Sequence, residues 1–231
     1  MFYFLLLFIL PPIVFLLYAQ SKAASTYENY LGIENSQQMT GVQVAKVLLQ
    51  AHGLRHVTIG KTCGQLTDHY DSRKKVIRLS KDVYETYSTA SLGIVAHEVG
   101  HAIQDQANYV PLRMREVLLP AANVSCRLGW LFVVLGMVLY ISVGSFGYKL
   151  ALVGITLFAG AMLLAAVTLV VECDANRRGR QMLTSCGFVS QYDYDAASAV
   201  LSATALTYVA TLLQPAAVLL QFFVRILCAK R

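Results

Sequence analysis

The chain has 231 residues, of which 56% are hydrophobic and 14% charged, with a formal net charge of +6. A soluble domain averages about 45–50% apolar and about 25% charged residues, so this composition points to a membrane protein and away from an ordinary soluble globule. Basic residues with few acidic neighbours are what cytoplasmic membrane loops carry, and no nucleic-acid partner is expected. The five cysteines, Cys63, Cys126, Cys173, Cys186 and Cys228, are scattered and form no CxxC pair. They indicate neither a disulfide framework nor a cysteine-based zinc site.

In chain order, residues 2–18 form an uncharged apolar run long enough to span a bilayer. The Pro11-Pro12 pair is expected to kink it. No Lys or Arg precedes the run, as a cleaved signal requires, so residues 2–19 are read as a retained anchor. Residues 20–115 are polar and mixed. Thr40 to Ala51 predicts an amphipathic helix with Val44, Val47, Leu48 and Ala51 at helical spacing. The β-branched runs His56 to Ile59 and Val76 to Leu79, with a turn at Asp71-Ser72-Arg73, predict a small antiparallel sheet of two or three strands. Ser80 and Ser88 read as N-caps of a short helix and a longer one, Thr89 to about Ala107.

Leu128 to Gly147 and Leu150 to Val171 are uncharged inside and about 20 residues each, the length a bilayer core demands. Their short connection makes residues 128–171 a transmembrane hairpin that returns the chain to the side it left. The stretch Ala196 to Leu227 is apolar but interrupted at Gln214-Pro215, and it contains Arg225. It predicts a helix near the site, within a second catalytic segment over 172–213, then a membrane or interfacial helix over 214–231. Arg225, Lys230 and Arg231 favour the cytoplasmic face for that last helix. Lys and Arg concentrate in 20–115 and at Arg177, Arg178 and Arg180, with only Lys149 at the hairpin tip. The polar domain is therefore expected on the cytoplasmic side of the cell membrane, with the N-terminus outside.

Residues 97–101 read His-Glu-Val-Gly-His. On a helix, positions i and i+4 lie one above the other, so His97 and His101 can occupy adjacent corners of a tetrahedral zinc site. Glu98 is offset by about 100° and flanks the metal, where it can take a proton from a water that the metal has acidified. Catalytic zinc usually has three protein ligands, and His₂Glu is a common set. Glu172 ends the third apolar span, and the hairpin returns it to the face of the His97 helix. It is the expected third ligand.

The runs Gly64 to Asp71, Val76 to Ser80 and Ala96 to Gln104 resemble the membrane-bound neutral zinc metallopeptidase family, the YugP-like group. Glu172-Cys-Asp174-Ala175 and Ala203 to Ala210 are similar to its later motifs, and the likeness covers nearly the whole chain. The resemblance implies a zincin-like domain, one zinc ion per chain and peptidase activity. It carries over His97, His101 and Glu172 as metal ligands and Glu98 as catalytic base. The layout also resembles the wider membrane gluzincins, which often have an Asp four residues after the ligand glutamate to orient a histidine. Here that position is Asn176, a neutral and weaker acceptor. Asp105, Asp68 and Asn176 are all candidates for that orienting role.

His69 is a candidate transition-state donor or a polar residue on a strand edge near substrate; Tyr208 is expected to pack against the site helix, with oxyanion donor as its alternative role. Arg177 and Arg178 are expected at lipid headgroups. The expected fold is an α-rich α+β membrane protein: a zincin-like domain (20–127) with an active-site helix, and three to four transmembrane or membrane-associated helices. The expected function is zinc-dependent hydrolysis of peptide or protein substrates, membrane proteins among them, at the bilayer surface. The competing class is a non-catalytic membrane protein with a structural metal or a partner-binding role.

Overall fold

A computed structural model describes residues 2–229. Its elements are α1 (Phe2–Leu31), α2 (Gly41–Ala51), β1 (Thr58–Thr62), β2 (His69–Asp71), β3 (Val76–Ser80), α3 (Lys81–Glu85), α4 (Thr89–Gln106), α5 (Val110–Val143), α6 (Ser145–Ser185) and α7 (Gln191–Ala229). They form an α-rich α+β fold in two compact units. One holds residues 2–18, Pro111–Val170 and 208–229; the other holds Ala19–Val110 and Val171–Thr207.

The mixed unit is built around the sheet and α4. Thr40 opens α2 with a capping box: its hydroxyl accepts the Gln43 N–H while the Gln43 side chain accepts the Thr40 N–H. The buried stripe of α2 is Val44, Ala45, Leu48 and Leu49, whereas Val47 and Ala51 are exposed. The helix is thus turned by about one residue from the face that the sequence suggests, so that the adjacent pairs 44/45 and 48/49 both face inward. In β3, Ile77 and Leu79 alternate into the core beside Leu48, Val83, Val95 and Val99, as the two-residue period of a strand dictates.

The sheet has the order β1-β3-β2. β2 is antiparallel to β3, but β1 runs parallel to it, so the sheet is mixed and not wholly antiparallel. The link from β1 to β2 leaves a strand's width between them, about 4.7–4.9 Å on either side, and β3 returns from the Asp71–Lys75 turn into that gap. Asp68, in this link, accepts from both the N–H and the hydroxyl of Ser80. Ser80 begins α3, but its side chain is committed to Asp68 and makes no cap bond. Ser88, by contrast, caps α4 by accepting the Ser91 N–H at 3.1 Å.

α4 is buried on nearly every face, which requires small residues where other helices approach. A Cβ on Gly93 would lie 2.8 Å from the Ala197 carbonyl oxygen of α7, and one on Gly100 would lie 2.7 Å from that of Ala175 in α6. These two glycines let the backbones of α6 and α7 close onto the central helix.

In the helical unit, α5 and α6 are separated by Gly144 alone, whose φ of 59° turns the chain. Among the described residues three helices are long and apolar enough to cross a membrane: Val110–Tyr140, Ser145–Ser185 and Gln191–Gln221. The helices outrun the apolar runs visible in sequence. α6 continues to Ser185, so Glu172 lies inside a helix and not at its end. α7 passes through Pro215 and α1 through Pro11 and Pro12 without a break. Proline removes a single intrahelical bond, and apolar helices accommodate that loss when neighbouring groups satisfy the freed carbonyl. The side chains of residues 2–9 and Arg225, and all of Lys230 and Arg231, lie outside the described residues.

Candidate metal centre

Three side chains on two helices converge in the mixed unit. His97 and His101 project from α4, with ring nitrogens Nε2 3.1 Å apart. Glu172 projects from α6, its Oε2 3.1 Å from His97 Nε2 and 3.5 Å from His101 Nε2. Ligand atoms at about 2.0–2.1 Å from a tetrahedral zinc stand about 3.3 Å from one another, so the spacing and the N,N,O donor set both fit that ion. His101 and Glu172 are buried, and His97 is only partly exposed.

The histidine tautomers suit the same purpose. His97 Nδ1 lies 2.7 Å from Asn176 Oδ1, and the other end of that amide donates to the Leu201 carbonyl. The amide oxygen therefore faces the ring and accepts its Nδ1–H, so that Nε2 is the nitrogen that presents a lone pair once the ring is neutral. His101 Nδ1 lies 2.9 Å from Gln104 Oε1, an arrangement of the same kind. Both partners are neutral amides about one helical turn from a candidate ligand on their own helix.

Burial disfavours a charged His97 ring, yet the hydrogen bond to Glu172 and the charges of Glu98 and Glu172 outweigh it. They lift the ring's pKa to about 9. Glu98 is 5% exposed. Burial raises its carboxyl above the ordinary range; His97 and His101 oppose that rise, while Glu172 and Asp68 add to it.

The other sequence candidates take different places. Asp105 accepts from the Tyr70 hydroxyl at 2.7 Å and from Lys75 at 2.5 Å, which pins β2 and its turn to α4. Asp68 bonds Ser80. His69 is exposed on β2 and donates Nδ1–H to the Thr67 carbonyl at 2.8 Å. Tyr208 belongs to the helical unit, where it lines a cavity of about 510 Å³ with Arg115, Thr211 and Gln214. Arg177 and Arg178 both bond Asp174.

Residues 5–227 match the family described as "Putative neutral zinc metallopeptidase". The chain belongs to this family. It is also 38% identical over 205 residues to "Putative membrane protease YugP" of Bacillus subtilis (strain 168), a match covering 89% of this chain and 88% of that protein. No solved structure matches. Gln104, bonded to a candidate ligand, is the residue that sequence reasoning passed over. The available signal was its position three residues after His101, on the same helical face.

Proposed function

We propose that this protein is a zinc-dependent endopeptidase, with His97, His101 and Glu172 as metal ligands and Glu98 as the base. The observation that carries the reading is the convergence of two Nε2 atoms and one carboxylate oxygen beside a buried glutamate. Zinc, when bound, supplies Lewis acidity that polarises the scissile carbonyl and acidifies water. Glu98 removes a proton from the attacking water and returns it to the leaving amine. A carboxyl raised by burial suits a group that must both accept and release that proton. Asn176 and Gln104 hold the ligand rings in the metal-binding tautomer. For the substrate, β3 is flanked on both sides, whereas β2 is at an edge of the sheet and is tied to α4 through Asp105. An extended peptide adding beside β2 would be held through its backbone, with little side-chain selectivity. The three apolar helices and the excess of Lys and Arg in residues 20–115 support a reaction at the cytoplasmic surface of the cell membrane.

The test is metal content and hydrolysis of an unfolded general substrate by the purified full chain. One zinc per chain is expected, with cleavage abolished by a chelator and restored by added zinc. Activity that survives complete metal removal would refute the reading. Zinc affinity should also depend on pH. The His97 ring in metal-free protein holds its extra proton up to about pH 9, and a ligand must be deprotonated to bind. Affinity should therefore fall by about tenfold per pH unit below about 9 and level off above it. Chelator competition between pH 6 and 10 measures this, and a flat profile would show that no raised His97 proton competes with the metal.

A further inference from the structure

Gln104 is fully buried, and an amide in that position is costly unless its polar atoms are bonded. All of them are. Its Nε2 donates to the Val171 carbonyl at 2.8 Å and to Asp174 Oδ2 at 3.0 Å, while Oε1 stands 2.9 Å from His101 Nδ1. A carbonyl and a carboxylate oxygen can only accept, so the amide nitrogen must face them. A flipped amide would set its oxygen against these two acceptor oxygens and turn its N–H donors away from both. The amide oxygen is thereby forced toward His101, whose Nδ1 must carry the proton. The lone pair then lies on Nε2, the nitrogen that faces His97 and Glu172.

Asp174 is fixed in turn. Arg177 donates to its Oδ1 at 2.5 Å and Arg178 to its Oδ2 at 2.6 Å, so the carboxylate is held charged and in place. Val171 immediately precedes Glu172. The amide that orients His101 therefore also ties the backbone of the third ligand's helix to α4. We propose that Gln104 is a positioning residue for the metal site, clamping ligands on two helices, and that Asp174 anchors its orientation. This rests on the zinc reading above.

The experiment is zinc affinity by chelator competition on the full-length chain, together with the visible spectrum of the cobalt(II)-loaded protein. Gln104→Leu should weaken zinc by about 10–100-fold and change the cobalt spectrum, as loss of a ligand's hydrogen-bond partner does. Asp174→Ala should weaken it by a smaller factor. The double variant should bind no more weakly than Gln104→Leu alone, because Asp174 acts through Gln104. Asp174→Asn keeps an acceptor oxygen and should restore affinity to within a few-fold of wild type. A purely structural glutamine would lower thermal stability and move neither affinity nor spectrum; that result overturns the proposal. Full additivity of the two single effects would overturn the anchoring role of Asp174. If Gln104→Leu does not fold, Asp174→Ala decides, and unchanged affinity there overturns the proposal. A wild-type chain that binds no zinc would instead refute the underlying site.

Discussion

Replacing Glu98 by glutamine should leave one zinc per chain and reduce peptide hydrolysis by about 10²–10⁴-fold, the range supplied by a positioned proton-transfer group. Glutamine has nearly the same shape and can sit in the same buried place, so the packing around α4 is preserved. What is lost is the capacity to take a proton. Removing the charge has two opposing effects on metal binding. It deletes a nearby anion that attracts a cation, but it also deletes one of the charges that keep His97 protonated. The two offset, and affinity should stay within a few-fold of wild type. Zinc analysis and a peptidase assay on the same preparation separate these quantities. A Glu98→Gln protein that holds zinc and still cleaves at the wild-type rate would show that Glu98 is not the base.

Replacing Gly100 by alanine should be nearly as damaging, for a different reason. The new methyl would stand 2.7 Å from the Ala175 carbonyl oxygen and 3.3 Å from the carbon atoms beside it. These are backbone atoms, so no rotamer change relieves the contact, and α6 must move away from α4. Overpacking of this kind costs about 1–3 kcal/mol of stability. Here the displaced residue lies three positions after Glu172 and immediately before Asn176. The shift therefore reaches the third candidate ligand and the hydrogen-bond partner of His97 together, and zinc affinity should drop by at least about tenfold. Gly32→Ala is the control, because nothing lies within 4 Å of the methyl it would add. Thermal unfolding and zinc competition on both variants give the comparison. Wild-type zinc affinity in Gly100→Ala would mean that the close approach of the two helices does not set the site.

How far these features could be read from sequence depends on the distance over which each is encoded. His97, Glu98 and His101 are related by helical pitch alone, and α4 needs only the Ser88 cap and its run of small and apolar residues to form where expected. Glu172 is 71 residues beyond His101, and only the idea of a returning hairpin links them. Asn176 followed from Glu172 as a candidate by local spacing, but the Asn176–His97 bond depends on how tightly Gly93 and Gly100 let three helices approach. That is a property of backbone clearance, which no periodicity reports. The parallel placement of β1 was hidden for a similar reason. Strand patterns specify faces, and the choice between pairing with the next strand or leaving room for a third is made by the link at Cys63–Asp68. Gln214-Pro215 interrupts the apolar run in the sequence, yet α7 continues through it. In α1 as in α7 the flanking residues remain helical, and the donors missing at Pro11, Pro12 and Pro215 do not end either helix.

The long separation between the candidate ligands also has a consequence in time. During synthesis His97 and His101 emerge well before Glu172, with all of α5 and the first two-thirds of α6 made in between. Until the ribosome has released that stretch and it has folded back, the chain carries two imidazoles and a buried base but no carboxylate to complete a His₂Glu set. A nascent or prematurely terminated chain therefore cannot assemble this site. The three candidate ligands come together only once α6 lies against α4.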